Sequence, residues 1–186
     1  MKIFIKILII SLYIILTTAI SNAQTSNTEV GAGLGIGTIK GNSPSVTSLS
    51  GKILVGYEPE FLAGLSIRLG FLFARKVEYF LPENRTDRYY PFIKAFTLTG
   101  FIEQPLSKNL FLEEGLGFVY LNDRTFSDVD AWDFGIVGNF LVGIHLWNMN
   151  EKGFTFGVGT GFGNTFTNST ASYFNFYFET RYKFAL

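Results

Sequence analysis

From Glu29 onwards, apolar residues alternate with polar residues or glycine at a period of two, with hardly a helical stretch. Eight segments emerge, at about 29–39, 49–58, 62–77, 91–104, 110–121, 133–147, 153–166 and 173–184. In the first, Val30, Ala32, Leu34 and Ile36 oppose Gly31, Gly33, Gly35 and Gly37. In the third, Ala63, Leu65, Ile67, Leu69, Phe71 and Phe73 oppose Gly64, Ser66, Arg68 and Gly70. The sixth sets Phe134, Ile136, Phe140, Val142, Ile144 and Leu146 against Asn139 and His145. The seventh places Phe154, Phe156, Val158 and Phe162 opposite a row of glycines, and the eighth opposes Phe174, Phe176, Phe178, Tyr182 and Phe184 to Asn175, Tyr177, Glu179, Arg181 and Lys183. The fourth and fifth are less regular, because Lys94 and Glu114 fall on the apolar face. Glu114 there calls for a register shift or a bulge.

The pattern predicts an all-β fold, an eight-stranded antiparallel up-and-down barrel, and the composition decides which face points outward. The interior of an eight-stranded barrel is only wide enough for side chains to fill it. It cannot take a row of Phe from every strand, but it can take glycine rows interleaved with long charged residues, so the 21 Phe and their apolar neighbours are expected to face lipid. A secreted, lipocalin-like barrel with its apolar face inward is the alternative, and it leaves the glycine rows without a purpose. Connections after strands two, four and six are short, whereas Glu78–Tyr90 and Asn122–Trp132 read as long polar loops. Short turns on the periplasmic side and long loops outside are the rule for transmembrane barrels. Aromatic belts follow, with Tyr120, Trp132 and Tyr173 at the outer interface and Tyr57, Trp147 and Tyr182 at the inner one.

The N-terminus adds export. Lys2 and Lys6 precede an almost wholly apolar stretch from Ile7 to Leu16, and Ser21-Asn22-Ala23 offers a signal-peptidase site. Residues 1–23 are expected to be removed, leaving 24–186 as one barrel domain with no further periplasmic domain. Cleavage takes away Lys2 and Lys6 and no acid, so the mature chain carries 13 basic against 15 acidic residues. No basic field exists to recruit nucleic acid, and with no cysteine thiolate chemistry is excluded.

The eight amphipathic segments and the closing Tyr182-Lys183-Phe184-Ala185-Leu186 resemble the small bacterial outer-membrane barrels of the OmpA/OmpX type; the Ile-, Asn- and Phe-rich composition is similar to Bacteroidetes outer-membrane barrels. The resemblance implies an integral outer-membrane location and recognition of the last strand by the barrel-assembly machinery, although Leu186 stands where that signature usually has Phe. No cofactor and no metal is implied.

Candidate chemistry is sparse. Lys52, Glu58, Arg68, Glu103, Glu113, Glu179, Arg181 and Lys183 fall on the lumen face with mixed signs. In so narrow a lumen they are expected to pair and close it, because unpaired buried charge is costly; a narrow or gated pore for small solutes is the alternative. His145 is the only histidine and has no Ser or Asp beside it in sequence, so a packed interior histidine is expected rather than a lipid-modifying catalyst. Asp123, Asp128, Asp130 and Asp133 lack the spacing of a calcium loop. Arg85, Arg88, Tyr89 and Tyr90 mix charge with aromatics in the longest loop, a composition suited to partner contacts or to anchoring at lipid headgroups. The function expected is a structural or surface-contact role without enzymatic activity.

Overall fold

The computed structural model describes residues 27–41, 43–59, 64–81, 88–128, 130–146 and 152–185. The expected signal peptide 1–23, Arg85, Trp147 and Leu186 lie outside the described residues. Eight strands follow one another: β1 Asn27–Lys40, β2 Val46–Glu58, β3 Leu65–Lys76, β4 Phe92–Pro105, β5 Leu110–Arg124, β6 Ala131–His145, β7 Gly153–Thr165 and β8 Ser172–Ala185. Each pairs antiparallel with its sequence neighbour, and β1 pairs with β8, so the sheet closes on itself. Closure removes the two edges that an open sheet would leave with unpaired backbone groups. Among the described residues no helix is long and apolar enough to cross a membrane, and a closed barrel is the other architecture that satisfies every backbone polar group in lipid.

The faces follow the alternation. Leu34, Leu69, Leu116, Phe140, Val158 and Phe178 stand exposed on the outside. The lower end of the barrel is where β1 starts and β8 finishes; the upper end carries the connections β1–β2, β3–β4, β5–β6 and β7–β8. Several strands run further up than the sequence pattern predicts. Val46–Ser48, Asn122–Arg124 and Ala131–Trp132 keep their pairing, so the expected long loop Asn122–Trp132 contracts to 125–130. The β3–β4 connection, which begins with a single 3-10 turn at Val77–Phe80, is then the one long loop.

No bulge occurs at Glu114. The register runs unbroken through Ile102↔Glu114↔Phe140, and the side chain simply points outward. Its place near the lower end of β5 explains this, because acids on the outer face of a barrel cost little close to the interface. Lys94 also points outward, near the upper end of β4.

The glycine rows clear space for their neighbours. A Cβ on Gly31 would lie 2.7 Å from Arg181 Cγ, one on Gly33 2.9 Å from Lys52 Cε, and Gly115 and Gly157 sit against Phe101 and Leu141. Gly117 is tighter still, because its Cβ would fall on the Leu98 carbonyl oxygen and within 2.6 Å of Thr99 Cα, both backbone of the adjoining strand. Gly117→Val is therefore expected to cost about 1–3 kcal/mol in urea unfolding of the refolded barrel. Gly51→Val, whose nearest neighbour would be Leu34 Cδ2 at 3.9 Å, is expected to stay within about 0.5 kcal/mol of wild type.

Candidate functional site

The lumen is built in layers. At the lower mouth Lys183 pairs with Glu58, and His145 Nε2 lies 3.1 Å from Glu103 Oε1. The imidazole stacks on Phe111 with ring centroids 4.3 Å apart, and its Nδ1 is 3.2 Å from Thr155 Oγ1. These two pairs ring a polar recess of about 410 Å³, counting the part open to solvent.

Above the recess sits the centre of the network. Glu113, only 1% exposed, accepts hydrogen bonds from Arg68, one of them from Nη1 at 2.6 Å, and from Arg181 Nη1 at 2.9 Å. Glu29 bridges the same two guanidinium groups, close to Arg68 Nε and 3.3 Å from Arg181 Nη1. Glu179 pairs with Lys52 through Oε2, while its Oε1 lies 3.3 Å from Arg181 Nε, out of line for a hydrogen bond. Three acids thus face three bases. Aromatic faces complete the cage, with Lys52 Nζ 3.2 Å above the Tyr177 ring and Arg68 4.1 Å from that of Phe101. Bidentate guanidinium–carboxylate geometry gives these contacts both strength and direction. A second recess, about 510 Å³ by the same measure, lies above this layer and is lined in part by Arg68, Thr97, Asn139 and Tyr177.

The upper half of the lumen holds an apolar cluster. Ile39, Leu72, Ala74, Ile93, Ala95, Val119, Leu121, Val137 and Tyr173 form one buried cluster. At the top, Asp133 Oδ1 accepts from Thr167 Oγ1 at 2.8 Å, Asn168 N at 2.5 Å and Ser169 N at 3.1 Å, and its Oδ2 accepts from Ser169 Oγ. This one carboxylate holds the β7–β8 connection over the barrel. Asp123 is buried and accepts from Thr125 N at 2.8 Å. Asp130 is bound by Asn122 Nδ2 at 2.8 Å and by Arg124 Nη1 at 2.7 Å. The Asn122 hydrogen bond and then the Arg124 charge hold the Asp130 carboxyl below its usual range. Among the described residues no set of three acids or histidines gathers to hold a metal.

Solved structures with this architecture can now be set beside it. No family model matches the chain, and no curated protein matches it in sequence. Neisserial surface protein A is similar at a TM-score of 0.62 and 11% identity, over 84% of this chain and 97% of that one. Ail, the attachment invasion locus protein of Yersinia pestis, is similar at a TM-score of 0.54 and 10% identity, over 86% and 99%. The fold is that of the small eight-stranded outer-membrane barrels. At such identities the likeness carries the fold alone.

Within this outer-membrane-type barrel, the eight charges read from the sequence all meet in or just below the central network, and Glu29 joins them. Glu29 shares the inward parity of Gly31 and Gly33, so its face was readable although its role was not. The apolar upper cluster is an addition to the expected interior of glycine, polar and charged residues. Ile39, Val119 and Leu121 continue the inward rows of β1 and β5 beyond their glycines, where the lumen has to be filled. Tyr173 is corrected. It does not mark the outer interface but is buried in the lumen, because β8 turns Phe174, Phe176 and Phe178 outward and parity sends Tyr173 in. Tyr120 and Trp132 do stand outside and stack at 4.7 Å, Tyr182 meets Phe154 at 4.9 Å, and Tyr57 is half-buried on the outer face. Of the loop candidates, Arg88 and Tyr89 are exposed, with Tyr89 Oη donating to the Arg124 carbonyl at 2.6 Å. Tyr90 is buried edge-on to Tyr79 and is withdrawn as a contact residue.

Glu113→Ala leaves two buried guanidinium groups to share Glu29 and is expected to lower stability by about 3–5 kcal/mol. Lys183→Ala, at the half-exposed mouth, is expected to cost no more than about 1 kcal/mol. Urea unfolding of the refolded variants in detergent measures both.

Proposed function

We propose that the protein is an integral outer-membrane barrel with a closed lumen, exported through its signal peptide, whose role is structural and surface-presenting rather than enzymatic. The observation that carries this reading is the combination of an outward apolar girdle with an interior whose central charges are paired. Leu34 is 74% exposed and Leu116 69%, and large apolar side chains stand out on all eight strands. Such a surface is untenable in water but suits a bilayer. The orientation proposed puts the lower end in the periplasm and the β3–β4 loop outside, in keeping with the rule that the longest loops are extracellular. Arg88 and Tyr89 are then the described loop residues best placed for contact with a partner, and the amphipathic closing strand β8 supports recognition by the barrel-assembly machinery.

The closed-lumen reading rests on charges that neutralise one another at the middle of the lumen and on the apolar cluster stacked above them. Opening a path between the two recesses would mean parting Arg68 and Arg181 from Glu113. Planar bilayers holding the purified barrel are expected to show no steady single-channel current. Discrete, long-lived conductance steps from the wild-type protein would replace this reading with a narrow pore for small solutes.

A further inference from the structure

The upper rim carries a second cluster of charge, on the outside of the wall, that the lumen does not use. Arg75 of β3, Phe92 of β4 and Arg124 of β5 are register partners across three adjoining strands. Arg75 and Arg124 therefore stand about 10 Å apart across the wall. Lys94 lies one outward position below Phe92, in a row with Asn122 and Trp132. Beneath that row come Phe96, Tyr120 and Phe134, again register partners. The cations are set on aromatic faces. Arg75 lies 3.4 Å from the Tyr79 ring and 5.4 Å from Phe92, and Lys94 and Arg124 lie 5.6 and 5.8 Å from Phe92.

Neutralisation here is incomplete, unlike in the lumen. Arg124 has Asp130, and Lys76 has Glu78. Among the described residues no carboxylate lies within ion-pair distance of Arg75 or Lys94; Asp130, already bound by Asn122 and Arg124, reaches Lys94 only through its field, and Arg88 of the same loop is a further exposed cation. The Lys94 ammonium is held at the height of the aromatic belt with phenylalanine directly below, and among the described residues no carboxylate closes on it as an ion pair. A phosphate would satisfy it, because guanidinium groups bind phosphate through parallel hydrogen bonds and lysine adds a point charge. A free phosphate has no use for the apolar wall underneath, whereas a phosphorylated lipid uses both, its headgroup on the cations and its chains on Phe96, Leu98 and Phe118.

We propose that the outer face of β3–β5, centred on Arg75, Lys94 and Arg124, is a binding site for the phosphorylated headgroup of an outer-leaflet lipid. This rests on the membrane orientation proposed above. The barrel in phosphatidylcholine nanodiscs containing a small fraction of bisphosphorylated lipid A, or of its dephosphorylated form, would be released into mild detergent and its retained lipid counted by native mass spectrometry. The wild type is expected to keep the phosphorylated form and not the other. The double variant R75Q/K94Q should lose affinity roughly tenfold to thirtyfold, on the basis of about 1 kcal/mol per cation near a membrane surface. Lys40→Gln removes an exposed charge from the upper end of β1, away from this face, and should behave as wild type. Equal retention by R75Q/K94Q overturns the proposal, as does an equal loss in Lys40→Gln, which would mean that net charge alone matters. Displacement of lipid A by inorganic phosphate overturns the lipid assignment in favour of a soluble anion. Heat-dependent gel mobility verifies that each variant is folded, and Lys94→Gln alone, which gives up no ion pair to a described residue, serves if the double variant is not. A wild-type protein that fails to enter nanodiscs overturns the membrane reading itself, and the site with it.

Discussion

Eight strands enclose a lumen that side chains alone can fill, and that narrowness governs the rest of the molecule. Every large residue turned inward needs a small one beside it, so the glycines of β1, β5 and β7 lie against Arg181, Lys52, Phe101 and Leu141. Every charge turned inward needs an opposite charge within reach, because water has little room to attend to it. Glu113 meets that demand for two arginines at once, and Glu29 does so again from the other side. The phenylalanines that do not fit are left outside, where they create the apolar girdle. Lipid-facing surface and charged interior are thus two results of one steric limit.

Much of this was legible in the chain because period-two alternation maps directly onto inside and outside. The strand count, the outward Phe rows and the inward positions of Arg68, Glu113, Glu179 and Arg181 all follow from parity. What parity could not convey was depth. Ile39, Leu121 and Val137 share the inward parity of the glycines and charges, and only the closed barrel reveals that they gather as an apolar layer in the upper lumen. Tyr173 was misplaced for a different reason. Its position at a strand end suggests a belt, but the parity set by its neighbour Phe174 turns it inward. Glu114 is anomalous by parity alone, and its shallow place near the start of β5 accounts for an acid on the outer face.

The strand ends carry what was least readable. Asn122–Arg124 is polar enough to resemble a loop, yet it continues the ladder opposite Ala131–Trp132 and lifts Arg124 into register with Phe92 and Arg75. That alignment, invisible in the linear sequence, makes a basic surface out of residues separated by loops. Charge is therefore handled in two ways, cancelled within the chain at the middle of the lumen and left open on the outer wall at the upper rim, where the proposed orientation puts the headgroups. The first favours a rigid barrel and the second a defined height in the membrane.

The central claim is that the Phe and Leu rows face lipid, and spin-label accessibility in a bilayer tests it most directly. The chain has no cysteine, so Leu34→Cys, Leu116→Cys and Val158→Cys can each be labelled singly without background. The account predicts that all three labels are readily reached by molecular oxygen and shielded from a water-soluble nickel chelate. Ready access of the nickel chelate to these positions would mean that the girdle faces water, and would contradict it.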